Sequence, residues 1–319
     1  LTFRLKLGFN YIVRKQNFVI FSLFVLYFLS VIAALQFSYE RQEQTSGGLS
    51  ADLILTKKAI GLIELNGPIS FSENSALLSA THPANFIEQL EQFESDRRIQ
   101  AVLIRINSPG GTVGASQELY QAILDFKERT QLPVVASIAD VGTSGAYYTA
   151  MAADTIFANR GSMVGSIGVI LGNVNFAQLS EKYGINYNVF KSGEYKDILS
   201  SWRDSTDEER LLLKAVINDV HNQFVSDLMS ARKMTQKQAM RVADGRFFTG
   251  TQANGVGLVD YLDGQEGAIR YLAKIANIPG KPLIVTANKS GLYSFVNLLK
   301  QELSFLFNIR LPSLQFLAR

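Results

Sequence analysis

Ala101-Val-Leu-Ile-Arg-Ile-Asn-Ser-Pro-Gly-Gly111 is the stretch whose reading decides the fold. Its first six residues form an apolar run closed by Asn107-Ser-Pro-Gly-Gly111, a cluster that interrupts helix and strand alike. An apolar run without polar alternation predicts a strand over 101–106 buried on both faces. The same design returns downstream, where Pro133-Val-Val-Ala-Ser-Ile138 stops at Gly142-Thr-Ser-Gly-Ala146. A third segment, read as a strand over Tyr187 to Lys191, ends in Lys191-Ser-Gly-Glu-Tyr-Lys196. Between the first two runs, Ala115 to Arg129 sets Leu119, Ile123, Leu124 and Phe126 on one helical face. Strands alternating with helices predict an α/β domain, a mostly parallel sheet covered by helices. In such sheets, backbone amides and short side chains meet ligands at the turns that follow the strands.

Working outward, Ile60-Gly-Leu-Ile-Glu-Leu65 predicts a first buried strand ended by Asn66-Gly-Pro68, and Asn85 to Ser95 an amphipathic helix with Phe86, Leu90 and Phe93 inward. Ala146 to Ala153 reads as a short buried helix and Thr155-Ile-Phe157 as a strand. Gly165-Ser-Ile-Gly-Val-Ile170 reads as a glycine-punctuated strand or bend. Thr206, followed by Asp207, Glu208 and Glu209, opens a long helix to about Arg232, since an N-cap hydroxyl and early carboxylates favour a helix start. Its spacing predicts that Leu213, Val216, Val220, Phe224 and Leu228 are buried. Phe248 to Asp260 reads as a helix–turn with glycine stops.

Residues 18–35 carry no charge, and about 18 residues rising 1.5 Å each nearly span a bilayer core of roughly 30 Å. Arg4, Lys6, Arg14 and Lys15 precede them, which predicts a cytoplasmic N-terminus over 1–17, a transmembrane anchor at 18–35 and an extracytoplasmic remainder. Val31-Ile-Ala33 offers the competing reading of a signal-peptide cleavage site, against which the length of the run argues. A polar linker at 36–57 then leads to a domain at 58–277. An apolar tail at 278–319 is read as packing on a neighbouring subunit or lying on the membrane surface.

With 319 residues and 47% hydrophobic composition the chain can bury a full core. Zero cysteines exclude thiol nucleophiles, disulfides and thiolate metal sites, and a net charge of +3 without a basic patch argues against nucleic-acid binding. The only two histidines, His82 and His221, fall in a polar loop and a helix, so neither a histidine-based triad nor a multi-histidine metal site is expected.

Ser144, after a buried strand and before a helix, has the topology of a nucleophile elbow, although Ala146 departs from Gly-x-Ser-x-Gly and a helix N-cap is the competing role. A serine needs a base. Lysine serves when its pKa falls from about 10.4 towards about 7, on the order of 4 to 5 kcal/mol of differential stabilisation, which requires cover from water. Lys196, among small and aromatic residues, is expected to be held inward. Gly110 and Gly111 at the neighbouring strand end, with Gly145 beside the serine, offer main-chain donors for an oxyanion.

Asn107-Ser-Pro-Gly-Gly111, Thr143-Ser-Gly-Ala-Tyr-Tyr148, Gly165-Ser-Ile-Gly168, Ser192-Gly-Glu-Tyr-Lys-Asp197 and Phe248-Thr-Gly250 with Gly257-Leu-Val-Asp260 together resemble the short bacterial form of the signal peptide peptidase A family, over roughly residues 58–277. The resemblance implies a crotonase-like fold of repeated ββα units shared with the proteolytic Clp subunits. It also implies Ser144 as nucleophile, Lys196 as base, Ser166 orienting the lysine amine, and Gly111 and Gly145 as oxyanion donors beside Gly110. No cofactor and no metal are expected. A homo-oligomer such as an octamer-like ring at the bacterial inner membrane is expected, with a dyad that can be completed between neighbours, contact with membrane lipid, and signal peptides or other apolar peptides as substrates.

Three rivals differ in chemistry or role. An acyl-CoA crotonase would use a similar oxyanion hole, but an extracytoplasmic domain and the lack of an acid/base carboxylate pair argue against it. A membrane-protein quality-control protease would share the dyad. A non-catalytic membrane scaffold of the same fold would have no need for both dyad residues.

Overall fold

A computed structural model describes Tyr27, residues 57–71 and residues 81–287. The anticipated anchor at 18–35, the linker before residue 57 and the tail beyond residue 287 lie outside the described residues. Among those described, no helix is long and apolar enough to cross a membrane.

The sheet contains β1 (Ala59–Asn66), β2 (Ile99–Ser108), β3 (Val134–Thr143), β4 (Thr155–Ala158), β5 (Met163–Gly165), β6 (Phe247–Thr249), β7 (Tyr261–Leu262) and β8 (Leu283–Thr286). Its order is β6-β5-β3-β2-β1-β8, with β4 also paired to β3 and β7 to β4. Every pairing is parallel except that of β5 with β6. The apolar runs of β2 and β3 are explained by cover on both sides. Val102, Ile104, Ile106, Val134, Ala136 and Ile138 pack with helices α1 (Pro83–Ser95), α2 (Val113–Thr130) and α3 (Gly145–Ala150). Ala101, Leu103 and Val135 face α8 (Gln265–Ile275).

The remaining helices are α4 (Ala177–Lys182), α5 (Asp207–Arg232), α6 (Gln236–Val242) and α7 (Gly250–Gly255). Three of them start with the same device. Thr206, Thr235 and Thr249 each accept from the N–H three residues on, while Glu209, Gln238 and Gln252 reach back to the cap N–H.

The strand anticipated at Tyr187 to Lys191 does not form, because among the described residues no neighbouring strand pairs with it. Residues 173–204 instead form an arm. Its outgoing limb is tied to its return by Phe176 N–H donating to Ser201 O at 2.6 Å and by Asn173 Nδ2 donating to Leu199 O at 2.9 Å. Trp202 stacks on Tyr187 with centroids 5.5 Å apart and packs against Phe176 at 5.9 Å. Many of the arm's large apolar side chains remain exposed, and Phe190 is 98% exposed.

The predicted buried face of α5 holds only in its second half. Phe224 and Leu228 are buried, Leu213 and Val220 are half-buried, and Val216 is 58% exposed. At the other end of the domain, β8 pairs with β1, so the sheet continues past the expected boundary at residue 277.

Candidate active site

β2 and β3 are parallel neighbours, in register from Val102 opposite Val134 to Ile106 opposite Ile138. Their C-terminal turns therefore open on the same edge of the sheet. The β2 turn carries Gly110 and Gly111, and the β3 turn carries Ser144. Ser144 has φ 52° and ψ −124°, a conformation that only an enforced turn imposes on a non-glycine residue. Its N–H donates to Gly165 O at 2.8 Å, while its carbonyl accepts from Tyr148 N–H at 2.9 Å. Its hydroxyl makes no cap hydrogen bond to α3, so Ser144 is not serving as a side-chain N-cap.

The glycines are required by contact. Gly110 has φ 99°, and a Cβ there would lie 2.7 Å from Gly145 N and 2.9 Å from Ser144 Cβ. A Cβ on Gly145 would lie 2.1 Å from Ser116 Oγ and 3.2 Å from Gly111 N. The two turns thus touch backbone to backbone. Gly110 N–H is engaged by Ser108 Oγ at 3.1 Å. Among the described residues, the N–H groups of Gly111 and Gly145 donate to no protein acceptor. The latter sits in the first turn of α3, where helix N–H groups have no partner within the helix.

Ser144 lines a small cleft together with Gly111, Gly145, Val113, Gln117, Tyr148 and Phe224 among others. Tyr148 packs edge-on against Tyr120 at 5.0 Å and Phe224 at 4.8 Å, and its hydroxyl donates to Asp227 of α5. Burial, with the Asp227 carboxylate beside it, pushes the Tyr148 phenol far above its ordinary range, so this hydroxyl stays protonated at any physiological pH. The cleft is accordingly largely apolar, with a protonated Tyr148 hydroxyl in its wall.

Ser166 follows Gly165, whose carbonyl holds the Ser144 amide. It has φ 51°, and its N–H donates to Arg246 O at 2.9 Å. Lys196 is exposed on the arm, does not line the cleft, and its Nζ makes no hydrogen bond among the described residues, in contrast to the inward placement anticipated for it. One chain therefore gathers Ser144, Ser166, Gly110, Gly111 and Gly145 and leaves Lys196 outside.

Both histidines have structural partners. His82 Nδ1 accepts from Ala84 N–H at 3.2 Å as the N-cap of α1, and His221 Nε2 lies 2.8 Å from Ala243 O. Among the described residues no group of three or more His, Cys, Asp or Glu side chains could hold a metal. Gln117, which lines the cleft, and Asp227, which holds the Tyr148 hydroxyl, carry no sequence signal beyond helical spacing, whereas Tyr148 closes the Thr143–Tyr148 motif without being singled out by it.

A family model described as "Peptidase family S49" matches residues 127–279. Over 223 residues the chain is 41% identical to a Synechocystis protein named "Putative protease", covering 70% of this chain and 76% of that one. It is 32% identical over 221 residues to an Enterococcus faecium protein named "Putative signal peptide peptidase SppA", covering 69% of this chain and 64% of the relative, slightly under two thirds. It is also 34% identical over 230 residues to "Serine protease SPPA, chloroplastic" of Arabidopsis thaliana, covering 72% of this chain and 33% of that longer protein.

Proposed function

The chain belongs to peptidase family S49, and on that premise we propose that it is a serine endopeptidase with Ser144 as nucleophile and Lys196 as base. The observation that carries the reading is the Ser144 elbow, a hydroxyl on an enforced turn at an apolar cleft, beside two amides without acceptors among the described residues. Neutral Lys196 Nζ takes the Ser144 proton as Oγ attacks a peptide carbonyl. The carbonyl oxygen, now negative, accepts from Gly111 and Gly145 N–H. Collapse breaks the C–N bond, and the leaving amine takes the proton from Lys196. Water, deprotonated by the same lysine, then attacks the acyl carbon, the C–Oγ bond breaks, and Ser144 Oγ takes the proton back from the lysine. Ser166 would orient the lysine amine, while Gly110 shapes the turn rather than donating.

Because Lys196 lies outside the cleft of its own chain, the reading has Lys196 of one copy serving Ser144 of a neighbour, in a ring of the octamer-like kind. The exposed apolar side chains of the arm support such contact, and cover by a neighbour would supply the desolvation that a neutral lysine needs. The fold is read as crotonase/Clp-protease-like, and residues 18–35 as an anchor holding an extracytoplasmic domain at the bacterial inner membrane. The cleft suits extended apolar peptides, among them signal peptides left in the lipid bilayer.

The test is hydrolysis of a synthetic signal peptide by detergent-purified wild type, Ser144→Ala, Lys196→Ala and Lys196→Arg, with assembly checked for each. Only wild type should cleave, since arginine stays protonated and cannot act as base. Variants cleaving at the wild-type rate would refute the dyad.

A further inference from the structure

The arm that carries Lys196 makes all its hydrogen bonds, among the described residues, within itself or to the first turn of α5. That turn is a fixed platform, because Thr206 and Glu209 close a capping box with Glu209 Oε2 accepting from Thr206 N–H at 2.9 Å and Thr206 Oγ1 accepting from Glu209 N–H at 3.1 Å. One guanidinium joins the platform to the lysine turn. Arg203 Nε donates to Asp197 Oδ2 at 2.8 Å and Nη2 to Asp197 Oδ1 at 2.9 Å. The same Nη2 reaches Asp197 O at 3.3 Å. On the other side Nη1 donates to Glu209 Oε2 at 2.8 Å and Nη2 to Glu209 Oε1. Asp197 follows Lys196 in the chain. Tyr195, which precedes it, is tied to the same platform by its hydroxyl donating to Glu208 Oε1 at 2.6 Å. Lys196 thus stands between two anchored residues with its own amine free of hydrogen bonds among the described residues.

From this arrangement we infer that Arg203 is the positioning residue of the proposed base, fixing the Tyr195–Asp197 turn on α5 and keeping the Asp197 carboxylate away from the Lys196 amine. The inference rests on the reading of Lys196 as the base. Its second half follows from occupancy. Asp197 accepts from Arg203 on both oxygens and from Lys191 Nζ at 2.7 Å on Oδ1. Without Arg203, Asp197 keeps only Lys191 on Oδ1, its Oδ2 is left free beside Lys196, and a nearby anion favours the protonated, inactive amine. A lysine at position 203 could not replace the fork, because an ammonium cannot pair two carboxylates in one plane.

The experiment measures kcat, KM and their pH dependence on an apolar fluorogenic peptide, using the full chain in detergent with assembly verified. Wild type, Arg203→Ala, Arg203→Lys, Glu209→Gln and Lys196→Ala are compared. Arg203→Ala should lower kcat at least tenfold at neutral pH with KM within twofold, and the loss should shrink as pH rises, because alkali deprotonates the lysine that the released carboxylate holds charged. Arg203→Lys should recover only part of the rate. Should Arg203→Ala fail to assemble, Glu209→Gln loosens the same fork while keeping an N3 capping residue, and it should show a smaller loss of the same form. A wild-type kcat in the variants, a loss equal at every pH, or a loss confined to KM would overturn the inference. Lys196→Ala at full activity would instead remove the base assignment itself, an outcome distinct from a lysine-dependent enzyme that ignores Arg203.

Discussion

Gly145→Ala asks the most of the site's geometry. A methyl at this position would lie 2.1 Å from Ser116 Oγ, 3.0 Å from Ser116 Cβ and 3.2 Å from Gly111 N. Rotating the serine hydroxyl away relieves the first contact but breaks its 2.9 Å bond to Thr112 O, at about 1 kcal/mol. The other two contacts remain, since Cβ cannot rotate and Gly111 N belongs to the backbone. Overpacking of this kind costs about 1–3 kcal/mol. The heavier effect should fall on catalysis, because the strain relaxes by moving the start of α3 away from the β2 turn and so separates the two amides assigned to the oxyanion. Loss of one such donor costs about 10²–10³ in kcat. Peptide hydrolysis and thermal unfolding measured together should show a kcat lowered about a hundredfold beside a modest drop in Tm. Gly145→Ala combined with Ser116→Gly, which removes both serine atoms in conflict, should recover part of the rate despite about 1 kcal/mol lost to a helical glycine. A Gly145→Ala enzyme with wild-type kcat would refute the reasoning, because the contact between the two turns would then not set the donor geometry.

Two further expectations concern residues away from the nucleophile. His82→Ala should lose about 0.5–2 kcal/mol as a missing N-cap and His221→Ala about 1 kcal/mol as a missing hydrogen bond, both with kcat within twofold of wild type; a hundredfold loss in either would return histidine to the mechanism. The arm should also respond to acid. The Arg203 guanidinium, helped by Thr206 N–H, holds the Glu209 carboxyl down to about 2, and Arg203 with Lys191 holds Asp197 well below the usual carboxylate range. Both folded values lie below the unfolded ones, so the contribution is complete above about pH 5 and is lost as pH falls from about 4 towards 2. The one tryptophan, Trp202, lies in the arm and reports on it: its fluorescence should be constant from pH 7 to about 5 and shift to the red below about 4, ahead of the far-UV circular dichroism. Unchanged emission down to pH 2 would contradict the account.

The sheet was legible because its two central strands are apolar on both faces, a pattern that ordinary surface strands do not show, and because Pro109-Gly-Gly111 and Gly142-Thr-Ser-Gly145 punctuate their ends. Thr206 with Glu209 announced the start of α5 by local chemistry alone, and the cap formed as expected. Periodicity failed at Val216 and at Tyr187 to Lys191 for a shared reason. An apolar stripe records that a surface avoids water, without recording which molecule covers it, and among the described residues Val216 and Phe190 stay exposed while Tyr187 meets Trp202 of its own arm. The inward placement expected of Lys196 failed in the same way, since its neighbours were read as if they packed on the same chain. The backbone contact of Gly110 and Gly145 was legible as glycine, whereas the diversion of Gly110 N–H to Ser108 Oγ depends on a hydroxyl orientation that spacing does not encode.

β3 is held on one edge by β2 and on the other by β4 over Val135 to Ile138 and then by β5 over Val141 to Thr143. At the changeover, where neither ladder reaches, Ala139 O accepts from Asn159 Nδ2 and Ser162 Oγ. The consequence lies in time. Amides in the paired spans of β3 should exchange with deuterium far more slowly than amides of the arm, which exchange through local opening, so Ser144 follows a slow segment of the molecule and Lys196 lies in a fast one.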